Sequence, residues 1–416
     1  MDDREHGPLV GLTYSKQFPN PAEPARGLFV AEQVRATADA VSWSVIAPVP
    51  RTSRSLARFL PRPFVPSRST FDGLEVRHPA YHVLPRRMRY THVGRSMAAA
   101  SESDFAAVVA RERPSFVHVH TLYPAGAAGR MLARRHGLPY IVTVHGSDLY
   151  SNIIRAAWKA GLEPVVRDAA AVVCVSEPLA RDTVALLGAD PARTLVIPNT
   201  FDTASFTVRG TPLSADTLLS VGRLVDVKGH RVLIEALALL APTRPHLRLR
   251  VVGEGPERGS LETLAARLGI ADRVTFPGAL DREALAAEYR SAGLFVLPSL
   301  REGFGVVLLE SLASGTPVVA TASGGPQGIV GSAEGELAEP GDAESLASAI
   351  GRALDRIGSF DPAALSLGVH ERYGPEAVGQ RLVSLYREVA AGRLPGATLG
   401  MAETDGRPPQ GGATDE

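Results

Sequence analysis

Residues 294–310 read LFVLPSLREGFGVVLLE. Four apolar residues of a short buried strand run into a loop with a glycine on either side of Phe304, and a helical apolar pattern opens at Val306. A strand that feeds a helix in this way is the repeating unit of a parallel sheet crossed by helices. At the helix start several backbone N–H groups have no partner within the helix, and the helix dipole there favours an anion such as a phosphate. Two carboxylates lie eight residues apart, Glu302 on the loop and Glu310 within the first turns of the helix. An acidic helix start also serves stability alone, but Gly303 and Gly305 add a reason for backbone to come close to a ligand.

The same alternation extends in both directions. Strands are predicted near 8–13, 42–47, 74–78, 115–119, 139–144, 170–175 and 194–197, and again near 217–222, 247–253, 273–276, 293–297 and 316–320, with helical patterns between them. The second set has helices near 229–241, 257–268, 281–290, 305–314 and 343–356. The 416 residues exceed the roughly 250 to 300 that one core supports. The fold class is therefore α/β, with two Rossmann-like doubly wound domains facing across a cleft. The Thr-, Ser- and Asp-rich stretch after Thr200 places their boundary near 205–215, giving domains at 1–205 and 206–374. Residues 375–391 form one more amphipathic helix, and 392–416 have the Pro, Gly and Thr content of a disordered tail.

Lys+Arg and Asp+Glu both number 44, and hydrophobic residues make up 45% of the chain. That balance speaks against a nucleic-acid partner. No run of about 18 apolar residues offers a membrane span. The acidic N-terminus lacks the basic flank and apolar core of a secretory signal, so a cytoplasmic protein is expected. The lone Cys174 sits in an apolar run as core. The neutrality is uneven, because residues 51–95 hold ten arginines against Asp72 and Glu75, interleaved with Phe59, Leu60, Phe64, Met88 and Tyr90. Such a stretch suits peripheral contact with an anionic membrane face or a pyrophosphate-bearing acceptor; it is equally a solvated arginine-rich loop.

Ligands of open parallel sheets settle beyond the carboxyl ends of the strands, and the remaining candidates follow strands. Gly222-Arg223-Leu224-Val225-Asp226-Val227-Lys228-Gly229 places two cations before a helix. Arg223 offers a fork to two oxygens and Lys228 a mobile point charge, which suits a diphosphate. Gly253-Glu254-Gly255-Pro256 is a tight strand-to-helix turn that allows close approach. It forms no G-x-G-x-x-G fingerprint, and no P-loop sequence occurs anywhere. In the first half His145-Gly146-Ser147-Asp148 follows YIVTV, where a histidine faces the cleft and Ser147 or Asp148 can cap the next helix. His118-Val119-His120 follows another strand, but its spacing fits no zinc signature, so no metal is expected. Ser176 is read as a helix cap, and Ile197-Pro198-Asn199-Thr200-Phe201-Asp202 as a structural turn.

Taken in order, VGRLVDVKG, VVGEGP, LPSLREGFGVVLLES, GTPVVATASGG, HGSD, VSE and IPNTFD resemble the family 4 retaining glycosyltransferases of the GT-B fold, over about 370 residues. The resemblance implies that Arg223 and Lys228 hold the diphosphate of a nucleotide-sugar donor. Gly222, Gly253, Gly255 and Val306 lie along the donor, and Glu310 binds its ribose. Glu302 contacts the transferred sugar beside the amides of Gly303, Phe304 and Gly305, and His145 reaches it from the first domain. Gly27, His120 and Asp148 fall on the acceptor side. The implied chemistry is front-face attack by a glycan, lipid-linked or small-molecule acceptor, with no metal and no cofactor, the nucleotide sugar being a substrate. The helix at 375–391 is expected to cross back onto the first domain. An epimerase or hydrolase of the same fold would use the same donor site but needs further carboxylates near the sugar. Three positions depart from the family pattern: Thr200 stands for a glycine after Pro198-Asn199, Gly324-Gly325-Pro326-Gln327-Gly328 replaces G-G-x-P-E, and Gly27 stands alone where a glycine pair is usual.

Overall fold

In the computed structural model residues 9–51, 64–83, 92–150, 156–208, 210 and 216–393 are described. Ten strands belong to the first half: β1 (Leu9–Tyr14), β2 (Val41–Ile46), β3 (Val49–Arg51), β4 (Arg68–Phe71), β5 (Leu74–Arg77), β6 (Ala80–His82), β7 (Phe116–His120), β8 (Tyr140–Val144), β9 (Ala171–Cys174) and β10 (Thr194–Val196). Eight form one sheet in the order β10-β9-β8-β7-β1-β2-β5-β4, and β3 pairs with β6 beside it. Every pairing is parallel except the β4–β5 hairpin. Six strands form the second sheet: β11 (Thr217–Val221), β12 (Arg248–Val252), β13 (Val274–Gly278), β14 (Leu294–Leu297), β15 (Val318–Thr321) and β16 (Gly335–Ala338), ordered β13-β12-β11-β14-β15-β16 and wholly parallel.

The central strands β7, β8, β9, β14 and β15 are buried at every residue. Parallel strands covered by helices on both faces must be so. The order reverses between β1 and β7 in one sheet and between β11 and β14 in the other, and these switch points are where the strand-end loops diverge and leave room for a ligand. Three of the helices around the second sheet start on aspartates: Asp281, Asp342 and Asp361 accept the N–H of Ala284, Ser345 and Ala363 at 2.9 Å each.

The helix Pro375–Ala390 follows the second sheet in the chain but packs on the first. Tyr386 stacks on Phe116 at 4.6 Å, meets Trp43 edge-on at 5.5 Å and bonds the His118 ring through its hydroxyl at 2.9 Å. A Cβ on Gly379 would stand 2.2 Å from the Ala36 carbonyl, so glycine alone lets this helix approach the end of the helix Leu28–Arg35.

Strands β3, β4, β6 and β16 and the helix Pro362–Tyr373 were not expected from the sequence. Each of these strands is three or four residues long and includes a polar, proline or glycine residue, so none stands out as an apolar run. The arginine-rich stretch is only partly visible. Residues 52–63 and 84–91 lie outside the described residues, while Arg68 and Arg77 flank Glu75 at 2.9 and 3.1 Å and Arg77 also nears Asp104 at 3.7 Å. Of the expected tail, 394–416 lie outside the described residues, as do 209 and 211–215 of the expected linker. Among the described residues no helix is long and apolar enough to cross a membrane.

Tyr386 is 1% exposed and fills the seam between its helix and β7. Tyr386→Ala should lower stability by about 3–5 kcal/mol, read as a fall in denaturant midpoint. Tyr386→Phe, which keeps the ring and loses only the hydroxyl, should cost about 1 kcal/mol.

Candidate functional site

The loops at the carboxyl ends of the second sheet are held at backbone distance by glycines. Gly253 has φ +140°, and a Cβ there would lie 1.9 Å from the Gly222 carbonyl oxygen; one on Gly255 would lie 2.2 Å from that of Leu224, and one on Gly229 2.0 Å from that of Pro298. Gly222 itself has ordinary space around it, so its part is to receive Gly253. Backbone hydrogen bonds stitch the same loops together: Leu224 N–H to Glu254 O at 3.0 Å, Leu300 N–H to Val227 O at 2.9 Å, Glu302 N–H to Ser323 O at 3.0 Å and Gly325 N–H to Glu302 O at 2.9 Å. The three motifs that were separate in the sequence form one continuous floor. The departing segment at 324–328 belongs to it, since a Cβ on Gly325 would meet Phe304 Cα at 2.3 Å and the Gly324 N–H donates to Gln327 Oε1 at 3.2 Å.

The floor carries a half-buried ion pair. Lys228 Nζ donates to Glu302 Oε2 at 2.5 Å, and Ser299 Oγ donates to the same oxygen at 3.1 Å. The Arg223 side chain is exposed, beside this pair in sequence but outside its hydrogen bonds. Gly305, at φ +99°, caps the helix Val306–Ala313 and turns its N-terminus to the loop, while the Phe304 ring goes into the core against Tyr373 at 5.8 Å. Phe304 therefore offers its backbone and not its ring. Glu310 meets none of the other candidates; it accepts the Tyr289 hydroxyl at 2.9 Å. Burial pushes its carboxyl up to about 7, and the Tyr289 hydrogen bond only partly offsets it.

The opposite wall comes from the first sheet. His120 Nδ1 lies 3.3 Å from His145 Nε2, the His118 and His120 rings are 4.2 Å apart, and His118 Nε2 bonds Thr143 Oγ1 at 2.7 Å. Burial holds His118 and His145 down to about 3, the charge of His145 adding to the effect on His118, and takes His120 well below its ordinary value. These imidazoles are neutral at physiological pH. Asp148, expected on the acceptor side, is 6% exposed and accepts the Leu122 N–H at 2.7 Å and the His145 N–H at 3.0 Å, which ties the loops after β7 and β8 together. Gly27, at φ +63°, starts the helix Leu28–Arg35, and Phe29 lies 4.5 Å from the His145 ring. Thr200 adopts no left-handed backbone, so the turn after Pro198 needs no glycine. Among the described residues no three His, Cys, Asp or Glu side chains are gathered as a metal would require.

The two walls meet at Gly303. A Cβ there would lie 2.2 Å from the His145 carbonyl oxygen, and the Gly303 carbonyl accepts Ser176 Oγ at 2.8 Å. Ser176 was read as a cap, but its hydroxyl makes no cap hydrogen bond; it reaches across the cleft instead. Arg301 lies over the Tyr150 ring at 4.5 Å beside this contact. Asp202, read as part of a structural turn, forms an ion pair with Arg282 of the second domain. Sequence alone gave no signal for these contacts of Ser176 and Asp202, because both act on a partner more than 75 residues away.

Glu310 generates a pH prediction. Its folded pKa lies above the ordinary 4.5, so the folded chain binds its proton more tightly than the unfolded one. The contribution of Glu310 to stability is full below pH 4.5 and is lost, by up to about 3 kcal/mol, as pH rises through about 7. Glu310→Gln keeps an acceptor for Tyr289 and removes this titration, so its stability relative to wild type should rise across that window in denaturant curves. A parallel pair of pH profiles would refute it.

The comparisons with known proteins agree with this geometry. The model described as Glycosyltransferase Family 4 matches residues 43–205, and that described as Glycosyl transferases group 1 matches 203–357. The chain is 32% identical over 317 residues to the D-inositol 3-phosphate glycosyltransferase of Acidothermus cellulolyticus, covering 70% of each chain. It is 30% identical over 362 residues to the putative teichuronic acid biosynthesis glycosyltransferase TuaC of Bacillus subtilis, covering 82% of this chain and 88% of that one. Among solved structures, sucrose-phosphate synthase from Thermosynechococcus elongatus superposes with a TM-score of 0.74 at 24% identity, over 93% of this chain and all of the other. Two sheets that switch direction at facing loops, matched along their length by both families and by these relatives, lead to one assignment: the chain belongs to the family 4 glycosyltransferases, with the GT-B fold.

Proposed function

We propose that this glycosyltransferase takes a hexose-type sugar from a nucleoside diphosphate sugar and transfers it with retention of anomeric configuration, without a metal ion. The observation that carries the reading is the Lys228–Glu302 pair at 2.5 Å on a floor of close-packed glycine loops. A diphosphate arriving at the cleft competes for Lys228 and releases the Glu302 carboxylate to the sugar hydroxyls. Arg223 adds a second cation, and the N-terminus of the helix Val306–Ala313 adds unpaired N–H donors, so charge growing on the leaving diphosphate meets fixed positive groups. Those groups do the work for which a divalent cation is otherwise used. Glu310 accepts the ribose hydroxyls.

In the reaction the acceptor oxygen forms its bond to the anomeric carbon on the face from which the diphosphate departs. The bond from that carbon to the phosphate oxygen breaks, and this oxygen takes the acceptor's proton. Retention follows from the shared face, and no general base is needed. His145, neutral and half-buried, hydrogen-bonds the sugar from the first domain, the acceptor side of the cleft. The acceptor is of the glycan, lipid-linked or small-molecule class. Since a relative is named for D-inositol 3-phosphate, an inositol phosphate heads the acceptor screen. Peripheral contact with an anionic membrane through residues 51–95 accords with a lipid-linked acceptor. No observation favours an epimerase or hydrolase.

A thermal-shift screen of nucleoside diphosphates and their sugars identifies the donor, since a ligand of the folded state alone raises the melting temperature. With that donor, Lys228→Ala and Glu302→Gln should each lower kcat/KM by about 100-fold or more at unchanged fold. Normal turnover in either variant would sink the reading. Transfer should survive EDTA, and proton NMR of the product should show the donor's anomeric configuration; inversion would exclude front-face chemistry.

A further inference from the structure

We infer that His120 is a positioning residue that fixes the proton of His145 on Nδ1, so that this imidazole presents an N–H to the donor sugar. The inference rests on the proposed role of His145 at that sugar. A neutral imidazole carries one hydrogen, and the hydrogen bond made by one nitrogen decides which nitrogen bears it. His145 Nε2 is engaged by His120 Nδ1 at 3.3 Å. His145 Nδ1 is buried and without a hydrogen-bond partner among the described residues. With Nε2 engaged it is the ring nitrogen still to be satisfied, and a ligand hydroxyl that reached it would relieve the cost of leaving it unpaired.

Two proton placements are possible for the pair. Either His120 Nδ1–H donates to His145 Nε2, or His145 Nε2–H donates to His120 Nδ1. The second leaves a bare lone pair on His145 Nδ1, facing a ligand whose nearest groups are hydroxyl and phosphate oxygens. A phosphate oxygen only accepts and is repelled by that lone pair, while a hydroxyl can donate or accept; an N–H is attracted to both. The first placement fits a cleft whose opposite wall carries Lys228 and Arg223, and it requires His120 to be the donor. Its neighbours hold the His120 ring in place. The ring centroid lies 4.2 Å from that of His118, which is fixed in turn by Thr143 at 2.7 Å and by Tyr386 at 2.9 Å. The last tie comes from the C-terminal helix, so the far end of the chain contributes to the orientation of a histidine at the sugar. Burial keeps all three rings neutral, which preserves the single shared hydrogen.

The test uses the ligand-free full chain with 15N-labelled histidine. Protonated and bare imidazole nitrogens differ widely in 15N shift, and His145→Gln assigns the His145 pair by its disappearance. The expected spectrum shows His145 protonated on Nδ1 and bare on Nε2; the reverse pattern overturns the inference. In kinetics, His120→Asn places an amide N–H where the imidazole Nδ1 stood and should keep most of the wild-type kcat. His120→Phe cannot donate, and should lower kcat about tenfold or more with a smaller change in KM for the donor. Equal loss in both variants at wild-type melting temperature would show a packing role only and also overturns it. A wild-type protein that transfers no sugar defeats the functional reading, while the spectrum still decides the proton's place.

Discussion

The contact on which the site depends is the seating of Gly303 against the His145 carbonyl, where a Cβ would come within 2.2 Å. Nothing larger than a hydrogen can occupy that point without driving the two loops apart. The loop that carries Glu302 is thereby brought against the loop that carries His145, and Ser176 closes the same seam with a hydrogen bond to the Gly303 carbonyl. Backbone approaches of this kind have almost no tolerance, because an interior packed to crystal density cannot yield by an ångström at low cost. The other glycine contacts repeat the device within the second domain, between 253 and 222, 255 and 224, and 229 and 298. The positions of Lys228 and Glu302 follow from them.

The two walls differ in electrical character. The second domain supplies full charges, Lys228, Arg223 and Glu302, together with a helix N-terminus. The first supplies neutral hydrogen-bonding groups, three imidazoles that burial prevents from ionising. A cationic histidine facing the donor would attract the diphosphate to the wrong wall and compete with Lys228. On the proposed reading, neutral imidazoles leave the cations of the second domain as the stronger attraction for the diphosphate and meet the sugar through hydrogen bonds.

Much of this was legible in the sequence because it is local. The strand ends, the glycine turns and the Glu302 to Glu310 spacing are all set within a dozen residues, and the strands β9 and β14 declared themselves by unbroken apolar runs. What could not be read is non-local. Ser176 looks like a helix cap in any sequence, and only the structure turns its hydroxyl to Gly303. His118 and His120 looked like two cleft residues; the structure commits His118 to Tyr386, 268 residues away, and His120 to His145. The strands β3, β4, β6 and β16 escaped for a different reason, since their short segments are interrupted by polar, proline or glycine residues and form no apolar run.

Arg282 shows how charge links the site to the join between the domains. It pairs with Asp202, comes within 3.8 Å of Glu32 and lies over the Phe206 ring, which in turn contacts Tyr289 edge-on at 5.6 Å. Tyr289 bonds Glu310. Three carboxylates thus share the field of one guanidinium. Against the penalty of burial, the Ser205 hydrogen bond and Arg282 hold Asp202 below its ordinary value. Glu32 and Glu310 are instead raised, chiefly by burial, with Asp202 acting on both. At Glu310 burial outweighs the Tyr289 hydrogen bond and the field of that guanidinium. A ribose that hydrogen-bonds Glu310 would favour its charged form, and that gain must pass through the same cluster that fastens Asp202 of one domain to Arg282 of the other. The ionisation of Glu310 and the Asp202–Arg282 pair are therefore parts of one electrostatic balance.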